Sequence, residues 1–168
     1  MGRIERDGVG LAYDDEGPRD APAVVLLHGM ACRRGHLAGV AAHLAGRFRC
    51  VNVDLRGHGD SDVPEGAYGM ADFLADLDAV VAGLDLGRPV LIGHSFGGSI
   101  SLAYADADPS RVRALVMLDS GMRSNATVRA DLGPFYAALR SGEYAATLDA
   151  FVRERLVDPV DGEAFAAE

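Results

Sequence analysis

The sequence predicts one α/β domain, built on a mostly parallel central sheet with helices on both faces. Short apolar runs that end in glycine or a polar loop alternate with longer segments of helical periodicity. The apolar runs are continuous rather than alternating, which is typical of strands covered on both faces. With 168 residues, the chain is long enough for a domain with its own hydrophobic core.

The predicted elements follow one another along the chain. Residues 3–17 are expected to form a polar hairpin with Asp7-Gly8 near its turn. Buried strands and helices are then predicted in alternation, the strands within 21–29, 49–62, 88–95 and 111–121 and the helices within 35–48, 68–87 and 96–109. The helix within 68–87 shows its apolar stripe at Met70, Phe73, Leu74, Leu77 and Val81.

After Met122 the pattern contains helical stripes and no further strand. We therefore divide the chain into a core at residues 1–121 and a helical segment at residues 122–168, which we expect to be the start of a cap or lid.

Composition limits the classes of partner. A formal net charge of −9 and a pI near 4.9 make the surface repel phosphate polyanions, so nucleic acid is not an expected partner. Cys32 and Cys50 are expected to be buried free thiols, which fits a reducing cytoplasm, and no metal or cofactor is expected. No apolar run approaches membrane length and no apolar leader is visible, so we expect a soluble cytoplasmic protein with a small-molecule substrate.

The motif that carries chemistry is Gly93-His94-Ser95-Phe96-Gly97. A Gly-x-Ser-x-Gly match is weak alone, but here an apolar strand must turn at once into a helix, which is the setting this motif requires. Such a turn strains the serine backbone and crowds the residues two positions away, so Gly93 and Gly97 are expected to shape the turn. Ser95 would then be presented at the carboxyl end of its strand.

A serine nucleophile also needs donors for the oxyanion that it creates. The helix that begins at Phe96 supplies one backbone N–H and a favourable dipole. A second donor is expected from the loop after another strand, and His28-Gly29-Met30 is well placed to provide it.

Three segments in this order and spacing, VVLLHGM at 24–30, DLRGHGDSD at 54–62 and LIGHSFGGSI at 91–100, resemble the α/β-hydrolase superfamily of serine esterases and their relatives. The resemblance runs from about residue 9 to residue 120. It implies that Ser95 is the nucleophile and that the backbone N–H groups of Met30 and Phe96 form the oxyanion hole. Asp119 occupies a site where some relatives place the acid of the triad.

Other polar residues near these motifs have simpler interpretations. His28 and His58 are expected to brace loops, and Asp54 to be structural. His94 adjoins the nucleophile, but neighbours on a tight turn point apart. Cys32 is expected to pack near the oxyanion loop rather than to act as a second nucleophile.

The chain departs from the family pattern after Ser95. In this fold the acid and the histidine follow the serine, yet His94 is the last histidine of the sequence. Three interpretations stay open: the N-terminal part of a serine hydrolase that lacks the last strands, a binding module or pseudoenzyme of the same fold, or a site completed by another chain. In each of them the strand ALVML at 114–118 is expected to have an unpaired outer edge, where the chain self-associates or which the later helices cover.

Overall fold

The computed structural model describes residues 1–120 and two isolated helical positions, Ala146 and Ala150. The chain divides into two compact units, Met1–Gly121 and Met122–Glu168, and residues 1–120 belong to the first. The predicted helical cap lies outside the described residues, apart from those two positions.

One sheet of six strands organises residues 1–120, in the order β1-β2-β4-β3-β5-β6. The strands β4, β3, β5 and β6 are parallel to one another, whereas β1 and β2 are antiparallel to their neighbours. The strand bounds are β1 Gly2–Arg6, β2 Val9–Glu16, β3 Ala23–Leu27, β4 Arg49–Val53, β5 Val90–His94 and β6 Ala114–Leu118. This is the mostly parallel sheet that the sequence predicts.

The predicted hairpin is confirmed. The strands β1 and β2 pair with Arg6 opposite Val9, so Asp7 and Gly8 alone form the turn. Both turn residues have positive φ, at 51° and 78°, which a two-residue turn of the type that matches strand twist requires.

The helices cover both faces of the sheet, as predicted. Their bounds are α1 Ala38–Leu44, α2 Met70–Gly83 and α3 Phe96–Ala107, and short 3₁₀ turns lie at Arg34–Leu37 and Pro109–Arg111. One apolar cluster joins α2 and α3 to the sheet through Phe73, Leu77 and Ile100, among others. A second cluster packs Leu37 and Ala41 against the opposite face.

The buried stripe of α2 differs slightly from the prediction. Phe73, Leu77 and Val80 are buried, whereas Met70 is 39% exposed and Val81 is only partly buried. The stripe therefore follows the spacing of three and four residues from Phe73 onward and leaves Met70 in the first turn outside it.

The parallel strands place the candidate site. Because β3, β5 and β6 are parallel neighbours, their carboxyl ends meet at one edge of the sheet. Loop 28–34 follows β3, Ser95 follows β5 and Asp119 follows β6, so the residues singled out from the sequence lie at that edge.

Candidate active site

Ser95 lies on the sharp turn between β5 and α3. Its backbone angles, φ 48° and ψ −111°, are outside the regions that a serine normally adopts. Its N–H donates to the Leu118 carbonyl at 3.0 Å, which extends the pairing of β5 with β6 by one residue. The turn therefore holds a strained backbone at the end of a hydrogen-bonded strand pair, and Ser95 is exposed there.

The glycines on either side have no space for a side chain. A Cβ on Gly93 would lie 2.5 Å from the backbone nitrogen of Gly98, and a Cβ on Gly97 would lie 2.6 Å from the His28 carbonyl oxygen. Backbone atoms cannot move aside as a flexible side chain can, so both positions need glycine for the close approach. This is the role that the motif predicts for Gly93 and Gly97.

Loop 28–34, which we call the oxyanion loop, packs against the serine. A Cβ on Gly29 would lie 3.3 Å from the Cβ of Ser95 and 2.8 Å from Nδ1 of His94. The Gly29 carbonyl accepts hydrogen bonds from His28 Nδ1 at 2.7 Å and from the Cys32 N–H at 3.2 Å. Since the carbonyl and N–H of a trans peptide point in opposite directions, the Met30 N–H points away from those two groups.

Two backbone donors near Ser95 have no internal partner. Within residues 1–120, neither the Met30 N–H nor the Phe96 N–H has a hydrogen-bond acceptor. Phe96 is the first residue of α3, where N–H groups lack an intrahelical acceptor. Among the described residues, both N–H groups that the sequence suggested for an oxyanion hole are therefore unbonded, and their role stays a prediction.

The histidines beside the site brace loops, as predicted. His28 is fully buried, and its Nε2 accepts the Leu55 N–H at 3.1 Å while Nδ1 donates to Gly29. Burial lowers the pKa of His28 to about 4, so the ring is neutral at pH 7. His58 accepts the Ala31 N–H through Nε2 at 3.2 Å and bonds the Arg56 carbonyl through Nδ1 at 2.9 Å.

Within residues 1–120, no hydrogen bond joins a histidine side chain to the Ser95 hydroxyl. That Ser95 lacks a histidine base within its own chain stays a prediction.

Asp119 lies beside Ser95 at the same edge. His94 pairs with Leu118 in the register of β5 and β6, so Ser95 and Asp119 are the next residues on two neighbouring strands. Asp119 is exposed and also has a positive φ, at 45°. Ser95 and Asp119 thus directly follow two paired strands at the same level of the sheet.

The surroundings of Cys32 favour a packing role for its thiol. It is partly buried, and burial raises the pKa of its thiol. A raised pKa leaves little thiolate at neutral pH, which argues against a second nucleophile.

The sequence predicted a structural role for Asp54 but did not indicate its partner Arg34 or the pair of Arg56 with Asp76. Asp54 is fully buried and pairs with Arg34, and Arg56 pairs with buried Asp76 through two hydrogen bonds of 2.6 Å. Both pairs join residues 20 positions apart in sequence, so neither produces a periodic signal. The only available signal was the polar content of 54–62, directly after a buried strand.

The described residues show neither a membrane-spanning helix nor a metal-binding cluster. None of the helices is long and apolar enough to cross a membrane. Groups of three or more histidine, cysteine, aspartate or glutamate side chains that could hold a metal ion are absent from that part of the chain.

The described residues thus form an α/β fold in which a strained serine lies on a strand-to-helix turn at the carboxyl edge of a mostly parallel sheet. A family model described as the alpha/beta hydrolase fold matches residues 22–156. The chain therefore belongs to the alpha/beta hydrolase family.

Among its relatives, a non-heme chloroperoxidase of Streptomyces lividans is 37% identical over 116 residues, which are 68% of this chain and 42% of that protein. A 2-(acetamidomethylene)succinate hydrolase of Mesorhizobium japonicum is 34% identical over 117 residues, 70% of this chain and 41% of that protein. The crystal structure of the enol-lactonase from Burkholderia xenovorans LB400 superposes with a TM-score of 0.83 at 25% identity, covering 98% of this chain and 64% of that one.

The chain thus spans less than half the length of these two curated relatives and somewhat under two thirds of the enol-lactonase.

Proposed function

We propose that this chain carries the nucleophile and the oxyanion hole of a serine hydrolase that acts on an ester or a related acyl substrate. The observation that supports this most directly is the backbone of Ser95, strained at φ 48° on a turn that both neighbouring glycines make possible. Strain of this kind costs stability and persists where a function requires it.

In the proposed reaction, Ser95 Oγ attacks the carbonyl carbon of the substrate and gives its proton to a base. The carbonyl oxygen becomes an oxyanion and accepts hydrogen bonds from the Met30 and Phe96 N–H groups. Collapse of this intermediate breaks the bond to the leaving alcohol, which takes up the proton, and leaves an acyl group on Ser95. Water then attacks the acyl carbon and releases the acid.

The base is the part of the proposal that this chain does not supply. No histidine follows Ser95 in the sequence and none of the five bonds to its hydroxyl, so we expect this chain alone to be weakly active or inactive. Asp119 is our candidate for the acid that would orient such a base, because it follows the neighbouring strand at the level of Ser95. The enol-lactonase among the relatives makes cyclic esters reasonable first substrates to test.

The absence of a bonded histidine also favours a second candidate, a binding module of the same fold that keeps the site without turnover. Two experiments separate the candidates. A fluorophosphonate probe should label this chain slowly, and Ser95→Ala should abolish labelling. Ser99→Ala is the matched control, because Ser99 is an exposed serine one turn further along α3, and it should leave labelling unchanged.

The second experiment supplies the base from solution. Hydrolysis of a nitrophenyl ester should be near background with this chain, and added imidazole should raise it in excess of what imidazole does with Ser95→Ala. Imidazole stimulation that is equal in both proteins, together with no labelling of Ser95, would favour the binding module.

A further inference from the structure

The side chain of Arg34 is bonded to three aspartates in two other segments of the fold, although no sequence motif points to this residue. It begins the 3₁₀ turn Arg34–Leu37, four residues after Met30, and its side chain is 14% exposed. Its Nε donates to Asp14 Oδ2 on β2 at 2.8 Å, and its Nη1 donates to Asp60 Oδ2 at 2.8 Å and to Asp54 Oδ2. One guanidinium thus connects the oxyanion loop to β2 and to the segment after β4.

The backbone of Arg34 is fixed in the same place. Its N–H donates to Asp54 Oδ1 at 2.6 Å, and its carbonyl accepts from Asn52 Nδ2 at 2.7 Å. Asp54 therefore accepts hydrogen bonds from both the backbone and the side chain of one residue, which restrains the position of the loop at that point.

The oxyanion loop is hydrogen-bonded to residues 54–60 at its first residue, near its middle and at its last residue. The first residue, His28, accepts the Leu55 N–H, and Ala31 donates its N–H to His58. The last residue, Arg34, bonds Asp54 and Asp60. Met30 lies between these attachments, and its N–H is the one that we assign to the oxyanion hole.

Among these attachments, the ion pair between Arg34 and Asp54 involves a buried carboxylate. Asp54 is fully buried, and its second basic neighbour, His28 at 3.8 Å, is neutral at pH 7 because burial lowers its pKa to about 4. Within residues 1–120, Arg34 is thus the only charged base that pairs with Asp54. A buried carboxylate without its partner is unfavourable, so losing Arg34 should displace the groups around Asp54.

We propose that Arg34 is a positioning residue, which acts through buried Asp54 to hold the oxyanion loop, and with it the Met30 N–H, in place beside Ser95. The part of this inference that concerns catalysis rests on the proposed function, whereas the part that concerns the loop stands on the contacts alone. A guanidinium suits this position because its planar fork reaches three carboxylates at once, which an ammonium group does not.

The first test measures amide hydrogen exchange by NMR in the whole 168-residue chain. Arg34→Met keeps the length of the side chain and removes the charge. We expect exchange at the Ala31 and Cys32 amides to accelerate at least tenfold, while amides in the central strand β3 stay within twofold of the parent chain. Unchanged exchange at Ala31 and Cys32, or equal acceleration throughout the sheet, would overturn the proposal.

The matched control is Arg33→Met, which removes the same charge from the preceding residue. The Arg33 side chain is exposed and forms no ion pair with the described residues, so this variant should leave exchange in the loop unchanged. Arg34→Lys keeps the charge without the fork and should give intermediate acceleration. If Arg34→Met does not fold, Arg34→Lys decides the matter, since parent-like exchange in that variant would contradict a role for the fork.

The second test concerns chemistry at Ser95. The rate of fluorophosphonate labelling should fall at least tenfold in Arg34→Met and stay within twofold of the parent in Arg33→Met. Unchanged labelling in Arg34→Met would overturn the catalytic part of the inference. An absence of labelling in the parent chain would instead contradict the proposed function, and the exchange measurement would still decide whether Arg34 holds the loop.

Discussion

Replacing Gly97 by alanine should destabilise the fold, although alanine is the better helix former. Gly97 is the second residue of α3, and its missing side chain lets the helix approach the end of β3. An added Cβ would lie 2.6 Å from the His28 carbonyl oxygen and closer still to the Leu27 carbonyl oxygen. Ordinary carbon-to-oxygen contacts are about 3.3 Å or longer, so the helix or the strand would have to move by roughly 0.7 Å or more.

The magnitude follows from two opposing effects. Overpacking a dense core costs about 1–3 kcal/mol, and the upper end applies here because both atoms in contact belong to the backbone. Alanine is favoured over glycine in a helix by about 1 kcal/mol, which offsets part of that cost. We therefore expect Gly97→Ala to lower the free energy of unfolding by about 2 kcal/mol.

Gly39→Ala is the matched control. Gly39 lies in α1, and a Cβ added there would have no atom within 4 Å. The same substitution should here raise the free energy of unfolding by about 0.5–1 kcal/mol, because only the helix preference remains. Urea unfolding followed by circular dichroism measures both, with equal slopes as the check that the unfolded states are comparable. Equal shifts in the two variants would refute the reasoning from close approach.

Three further results are expected. The free energy of unfolding of Ser95→Gly should exceed that of Ser95→Ala by about 1 kcal/mol, because glycine tolerates the positive φ of this turn. Equal urea midpoints for the two variants would contradict the inference that the Ser95 backbone is strained. Burial lowers the pKa of His28 from 6.5 to about 4, so the unfolded chain binds the proton more readily. Its contribution to stability is complete above pH 6.5 and is lost as the pH falls towards 4, by about 3 kcal/mol in total, and His28→Gln should show a flatter dependence of stability on pH between 7 and 4.5. Finally, size-exclusion chromatography should reveal self-association through the β6 edge unless the later helices cover it, and a monomer whose amides at 114–118 exchange freely would contradict both expectations.

The elements of the sheet could be predicted because each carries a local signal. The parallel strands are continuous apolar runs, and the first turn is an Asp-Gly pair. The turn at Ser95 was also visible, because the glycines that it requires lie two residues on either side of the serine. The strand order was not visible in the residues alone, since pairing β4 between β2 and β3 depends on contacts between distant segments.

The supporting charges could not be predicted in the same way. Arg34 is one of two adjacent arginines, and nothing in their sequence distinguishes the partly buried one from the exposed one. Asp54 follows a strand as many loop aspartates do, and its complete burial becomes apparent only when loop 28–34 folds over it. The structural roles of His28, His58 and Asp54 were predictable, whereas the pairing of Arg34 with Asp54 was not, because it joins segments that are distant in sequence.

The strand order has a consequence for how the chain folds during its synthesis. The central strand β3 pairs with β5, and Val24 lies opposite Val90, so this part of the sheet waits until some 66 further residues have left the ribosome. Beyond β3 the order then follows synthesis, since β5 adds to β3 and β6 adds to β5. Because β5 and β6 each lie on the outer side of the strand before them, these two pairings can form in the order in which the strands are synthesised.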